Sequence, residues 1–266
     1  MNALEQMLTL ALATLAPRMR QLQSAKAIRL AFRAGAPIKS LMPAIREKWE
    51  FRKSIALANL ITGGLGNPSK MPGRAYGFSA SQCSIGSKLA KLANTVCSSC
   101  YAMKGRYIFL NVVECHARRF ASLRRPLWCD AMAYLINRQC AKVPYFRWHD
   151  SGDLQGVWHL ANICEVCRMT PKVSHWIPTR EYKIVQDFID AGNEIPPNLQ
   201  IRLSIHMVDS FTLPKLKGAT VTFSSVSEKE KAPDFAANCP APNQKGECGS
   251  CRNCWESTLL VNYHIH

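Results

Sequence analysis

VPYFRWHDSGD, residues 143–153, runs an apolar and aromatic strand straight into a polar turn, and the same grammar repeats down the chain. Val143–Trp148, Val173–Ile177, Leu199–Ile205 and Ala219–Phe223 read as strands, rich in the β-branched and aromatic residues that suit a buried sheet. Between them Val157–Arg168 and Glu181–Ala191 carry helical periodicity, the second closed by Gly192, and Ser210–Leu216 reads as a short helical or turn segment. Strands alternating with helices imply a parallel sheet with right-handed crossovers. The expected fold class is therefore α/β, a partial or complete parallel (β/α) barrel. In such barrels the chemistry sits at the carboxyl ends of the strands. Here those ends read His149-Asp150-Ser151-Gly152-Asp153, Pro178-Thr179-Arg180-Glu181, His206-Met207-Val208-Asp209 and Ser224-Ser225, polar after apolar each time.

Upstream, residues 2–34 and 38–52 read as helices broken at Gly35-Ala36-Pro37, which makes 1–53 a helical extension. LGNPSKMPGRAYGFSASQC, residues 65–83, reads as a loop that approaches a ligand. Tyr107–Leu123 and Pro126–Gln139 read as helices, with Pro126 in a first turn that tolerates it. The expected domains are thus the extension, a barrel over 54–232 and a Cys-rich module over 233–266.

The twelve cysteines fall into informative groups. Cys83, Cys97 and Cys100 form C-x13-C-x2-C, and Cys239, Cys248, Cys251 and Cys254 form C-x8-C-x2-C-x2-C. On Gly-, Ser- and Pro-rich loops such pairs aim thiolates at one metal centre. Three ligands leave a coordination position open, whereas four close the site. Four cysteines with no local His fit either an iron–sulfur cluster or structural zinc. Cys164 and Cys167 lie on a helix among apolar residues and read as core, as do the isolated Cys115, Cys129 and Cys140.

The formal charge is +16, and residues 1–150 hold 23 Lys and Arg against 6 Asp and Glu. So lopsided a balance suits a polyanion, nucleic acid above all, with Arg118, Arg119, Arg124 and Arg125 the densest cluster and Lys88, Lys91, Lys104 and Arg106 nearby. The other reading is a solvated face that compensates anionic clusters. No apolar run approaches membrane-spanning length, and Glu5 sits where an export signal carries positive charge. A reducing cytoplasmic setting, where cysteines serve metals rather than disulfides, is expected.

CSSCYAMKGRY, RWHDSGDL, WIPTRE and LSIHM together resemble the phage and plasmid gene product 88 family, and the Cys-rich loop before a β/α series is similar to radical S-adenosylmethionine (SAM) enzymes. The likeness covers roughly residues 54–256. It implies a radical-SAM type of barrel in which Cys83, Cys97 and Cys100 hold a [4Fe–4S] cluster, its open iron chelating SAM. Ser151-Gly152-Asp153 stands where such enzymes hold the SAM amino group, although those enzymes usually have Glu and a C-x3-C-x2-C spacing. The resemblance implies a second, auxiliary cluster at the C-terminal four cysteines. Candidate catalytic residues are His149, Asp150, Arg180 and Glu181; Tyr101, Ser151, Gly152, Asp153, Thr179, Ser204 and His206 are candidates for contact with the cofactors. Bland roles compete: helix caps for Asp150, Asp153 and Thr179, a core imidazole for His149. Two functions stay open, a SAM-dependent enzyme acting on a nucleic acid or phosphorylated substrate, and a non-enzymatic metal–sulfur nucleic-acid-binding protein.

Overall fold

The computed structural model describes residues 25–218, 221–228 and 231–265. Its centre is a seven-stranded, wholly parallel sheet in the order β1-β2-β3-β4-β5-β7-β6. The strands are β1 (Arg74–Tyr76), β2 (Tyr145–Trp148), β3 (Ser174–Thr179), β4 (Leu199–Ser204), β5 (Thr222–Ser227), β6 (Ala237–Asn238) and β7 (Val261–His264). Helices α1 (Ala25–Arg33), α2 (Ile38–Phe51) and α3 (Ile55–Thr62) precede the sheet, and α4 (Ser84–Leu89), α5 (Leu110–Ser122) and α6 (Trp128–Gln139) fill the crossover from β1 to β2. Helices α7 (Val157–Arg168) and α8 (Tyr182–Asp190) make the next two crossovers, and the short α9 (Asn253–Glu256) precedes β7. The α/β class and parallel alternation are as expected. The first five strands lie in chain order, the order that successive β/α units of a partial barrel generate.

Alternation along the strands divides the two faces. Phe146 and Trp148 of β2, with Ile177 of β3 and Leu203 of β4, are fully buried and pack with Met132 and Ile136 of α6, Ile163 and Cys167 of α7, and Val185 of α8. Burial of each such aliphatic side chain is worth roughly 1.5–3 kcal/mol. Cys140, Cys164 and Cys167 belong to this core, as the apolar spacing around them predicts. Arg147, Trp176 and Ser204 take the alternate positions and line a cavity on the opposite face. A second core joins α1, α2 and α3 to Ala131 and Leu135 of α6, so the described N-terminal helices dock on the sheet's helical layer.

Four segments differ from expectation. The first predicted helix is seen from Ala25, its earlier part lying outside the described residues. The stretch read as a loop contains β1, a strand of three residues embedded among Gly and Pro. The strand placed at Ala219–Phe223 lies instead at Thr222–Ser227. Its hydroxyls are buried but paired: Ser225 Oγ donates to Asn262 Oδ1 at 2.8 Å, and Asn262 Nδ2 donates to Ser227 Oγ at 3.0 Å. Ser224-Ser225 are thus strand interior and not a rim. Ser210–Leu216 forms no regular element. The 233–266 stretch adds β6 and β7 to the sheet, and the connection between these two neighbours, residues 239–260, contains all four C-terminal cysteines.

Candidate functional site

The cavity has a volume of about 600 Å³ and is lined by Cys83, Cys97 and Cys100 together with the ends and inner faces of β2 to β5 and β7. Each cysteine reaches it by a separate attachment. Cys83 precedes α4, whose start is held by Glu181: its Oε1 accepts from Ile85 N at 2.8 Å. The Cys97 segment is tied to the end of β4, where Val96 N donates to His206 O at 2.9 Å and Thr95 bridges Met207. Tyr101, next to Cys100, donates to Asp150 O at 2.8 Å and accepts from Arg147 Nη2 at 3.2 Å. Gly86 makes room between the sulfurs: a Cβ there would lie 3.6 Å from Cys83 Sγ and 3.7 Å from Cys97 Sγ, and only 2.9 Å from Cys83 Cβ.

Asp153 is the hub beneath these loops. Its Oδ1 accepts from Thr179 Oγ1 at 2.6 Å and Leu154 N at 2.8 Å, and Oδ2 accepts from Arg180 N at 2.9 Å. Burial raises its pKa and the three hydrogen bonds oppose that rise. Neither Asp153 nor Thr179 caps the following helix by its side chain; both brace β2 against β3 instead. Glu181, spent on the α4 backbone, is likewise a brace, and burial raises its pKa. Gly152 has φ +82, and a Cβ there would run into the Phe78 ring at 2.6 Å.

His149 is held in the left-handed region at φ 53, is 3% exposed, and finds no partner for either ring nitrogen. Burial, then the neighbouring His159 and Arg147, push its pKa well below the ordinary value, so it is neutral. Ser151 Oγ is also buried and unpartnered, as is Asp150 Oδ1. Ser204 Oγ lies 3.1 Å from Ser224 Oγ, and His206 stacks on Tyr182 at 4.5 Å. Of the candidate residues, Cys83, Cys97, Cys100, Tyr101, His149, Ser151, Gly152, Asp153, Arg180 and Ser204 line the cavity; Asp150, Glu181, Thr179, His206 and the four C-terminal cysteines do not.

The C-terminal cysteines feel one another: Cys239 and Cys251 raise Cys248, and Cys239 raises Cys254, after burial as the first cause. Their segment is clamped by Arg202, fully buried on β4, which donates to the carbonyls of Cys254, Asn253, Ser257 and Leu259, and to Phe223 O. Tyr263 Oη lies 3.2 Å from Cys254 Sγ, and both Tyr263 and Arg147 line the same cavity. Sequence reasoning missed Arg147 and Arg202. Their signal was a charge at every-other position inside apolar strands, in YFRW and LQIRLS, which marks a face turned from the helices.

Among the described residues no group of three or more His, Cys, Asp or Glu already stands at metal-ligand spacing. The donor chemistry of both groups nonetheless suits a thiophilic cation. Burial raises the Cys83 and Cys97 pKa values, while the Arg180 guanidinium favours their thiolates. Around the C-terminal group the favouring charges are Arg147, Arg202 and Arg252. Four thiolates on Zn²⁺ or on a [4Fe–4S]²⁺ core form a dianion, which such guanidinium groups would balance.

The dense arginine cluster is only in part a free basic face: Arg118 and Arg124 are exposed, whereas Arg119 is buried and Arg125 half-buried. Arg119 is 6% exposed and donates to Gly64 O, Arg125 donates to Leu60 O, and Arg124 lies over the Trp158 ring at 3.8 Å. Exposed basic charge also gathers at Lys88, Lys91, Lys104 and Arg106, on the segments that carry the first cysteines. No helix among the described residues is long and apolar enough to cross a membrane. In comparisons with known proteins, a family model described as Gene product 88 matches residues 51–257. No curated protein and no solved structure matches the chain.

Proposed function

We propose that this chain, which belongs to the Gene product 88 family, is an iron–sulfur protein of radical-SAM-like type. In this reading Cys83, Cys97 and Cys100 hold a [4Fe–4S] cluster at the wall of the cavity, where SAM also binds. The observation that carries the reading is the arrival of three cysteines from separately anchored segments at one cavity on a parallel sheet. Three thiolates leave a position open, which a purely structural site has no use for. When bound, the cluster would offer that position to the SAM amino and carboxylate groups and supply the electron for reductive cleavage.

The chain's own part is positioning. Asp153 has four lone-pair sites and three are taken, which leaves one on Oδ2 and a negative charge for an ammonium group. Arg180, whose Nε is buried without a partner, suits a carboxylate. His149, neutral and unpartnered, can accept or donate one hydrogen bond within the cavity. The C-terminal four cysteines hold a second, closed centre, iron–sulfur or zinc. The exposed Lys88, Lys91, Lys104 and Arg106 favour a nucleic acid or a phosphorylated molecule as substrate.

Anaerobic purification with iron, sulfide and zinc analysis tests the reading, followed by SAM binding and 5′-deoxyadenosine formation from reduced protein. Expected are four irons in the first site, and loss of SAM binding in Cys97→Ala or Cys100→Ala. A protein that reconstitutes no iron, or a cluster-replete one that binds no SAM at millimolar concentration, overturns the enzyme. The remaining alternative is then a non-enzymatic metal–sulfur protein.

A further inference from the structure

The wall of the cavity carries residues whose polar atoms find no partner within the protein. Arg147 of β2 and Trp176 of β3 are register partners, and the guanidinium lies over the indole 4.6 Å from its centroid. Trp176 is 5% exposed and its Nε1–H has no acceptor. Arg147 donates through Nη2 to Tyr101 Oη and through Nη1 to Met71 Sδ, but its Nε–H is buried with no acceptor. Among the described residues no carboxylate lies within ion-pair distance of it. His149, on the next turn, adds two unpartnered ring nitrogens, and His264 Nδ1 another. All four residues line the cavity, and the only carboxylate there, among the described residues, is the already engaged Asp153.

A buried donor without a partner costs about 1–3 kcal/mol, and more when charged. Arg147 and Trp176, side by side on the wall of a space of ligand size, each hold an obligate donor without an acceptor, and such a pair calls for a ligand that only accepts. A guanidinium cation packed on an indole with a free N–H suits an oxyanion better than any neutral group. We infer that Arg147 and Trp176, flanked by His149, form an oxyanion subsite that anchors a phosphate monoester or carboxylate of the substrate on the cavity's inner wall. The inference rests on reading this cavity as the substrate site. Arg147 could instead serve only to balance the C-terminal thiolates, but among the described residues none of its hydrogen bonds goes to a cysteine sulfur.

The test is calorimetric titration of the full, metal-containing chain with ribose 5-phosphate, gluconate and neutral ribose. Neither cluster reduction nor SAM is needed, so a protein that fails the iron and SAM assays can still pass here, and the reverse. Binding of one or both anions and not of ribose is expected, and the anion that binds names the headgroup. Arg147→Gln should weaken that anion by about tenfold or more, with far-UV circular dichroism and metal content unchanged. Trp176→Phe keeps a ring beneath the guanidinium and removes only the N–H, so a loss of about threefold to tenfold is expected. This variant decides the matter if Arg147→Gln does not fold. No binding of either anion at about 10 mM, or equal affinity in wild type and Trp176→Phe, would overturn the subsite. Loss of metal in Arg147→Gln with anion affinity intact would assign the arginine to the thiolates instead.

Discussion

The two cysteine groups are built in opposite ways. Cys83, Cys97 and Cys100 sit on segments tied one by one to distant strand ends, through Glu181, His206 and Asp150, and they face an open cavity. Cys239, Cys248, Cys251 and Cys254 come from one short stretch, clamped as a unit by Arg202 and sewn to the sheet by β6 and β7. In the reading proposed above, the first arrangement suits a centre that admits a substrate. The second is local and braced, which in the same reading suits a centre that holds structure.

Arg202→Met should break the contrast most severely. It removes a buried cation and leaves the carbonyls of Cys254, Asn253, Ser257, Leu259 and Phe223 without their donor, at a cost of about 3–5 kcal/mol. Urea unfolding reads that loss; a variant within 1 kcal/mol of wild type would remove the clamp from the account. Next, Cys251→Ala should lower stability by about 2–3 kcal/mol together with metal content, while Cys97→Ala should empty only the first group. Equal destabilisation by the two would erase the division between a braced and an open centre.

Acid should sharpen it further. His149 and His159 lie ring to ring at 5.4 Å, and burial holds both below the ordinary value, His159 at about 3. A base whose folded pKa is depressed binds fewer protons folded than unfolded, so stability is lost as pH falls below the ordinary histidine value near 6.5. The loss is about 1.4 kcal/mol per pH unit per histidine until the folded value is reached. Both lie near Phe78 and the end of β2, so amide exchange at Val96 and Ile85 should accelerate before exchange at Cys239 and Val261. Simultaneous opening would contradict it. The smallest effect is expected from Thr179→Val, which takes one hydrogen bond from Asp153 and one from Glu181 N, about 1 kcal/mol, with the C-terminal centre untouched.

Much of this was legible in the chain. β2, β3 and β4, with α7 and α8, stand within a residue or two of where apolar runs and helical spacing put them. The cavity rim at His149, Asp153 and Arg180 followed from the same alternation. What escaped was governed by long-range pairing. β5 is built of Thr222, Ser224, Ser225 and Ser227, whose burial depends on Asn262 and Ser204 far along the chain. β1 is too short to carry a period. Asp153, Thr179 and Glu181 have the composition of helix caps, and only the approach of β3 and α4 turns them into braces. Arg119 and Arg125 looked like solvent charge because nothing local reveals that Gly64 and Leu60 offer them carbonyls.

Two neighbouring parallel strands need a connection that travels back the length of the sheet, and proteins usually make that return with a helix whose apolar stripe packs it down. Between β6 and β7 the return is residues 239–260, which has only a 3-10 turn at Ala241–Asn243, the single turn of α9 and two large buried side chains, Trp255 and Leu260. The cysteines therefore occupy the place of a packing helix. In the reading proposed above, an ion gathering their sulfurs would stand in for the hydrophobic core of that crossover, and removing it with a chelator should fray the β7–β6 edge first, leaving the strands at the other end of the sheet to report nothing.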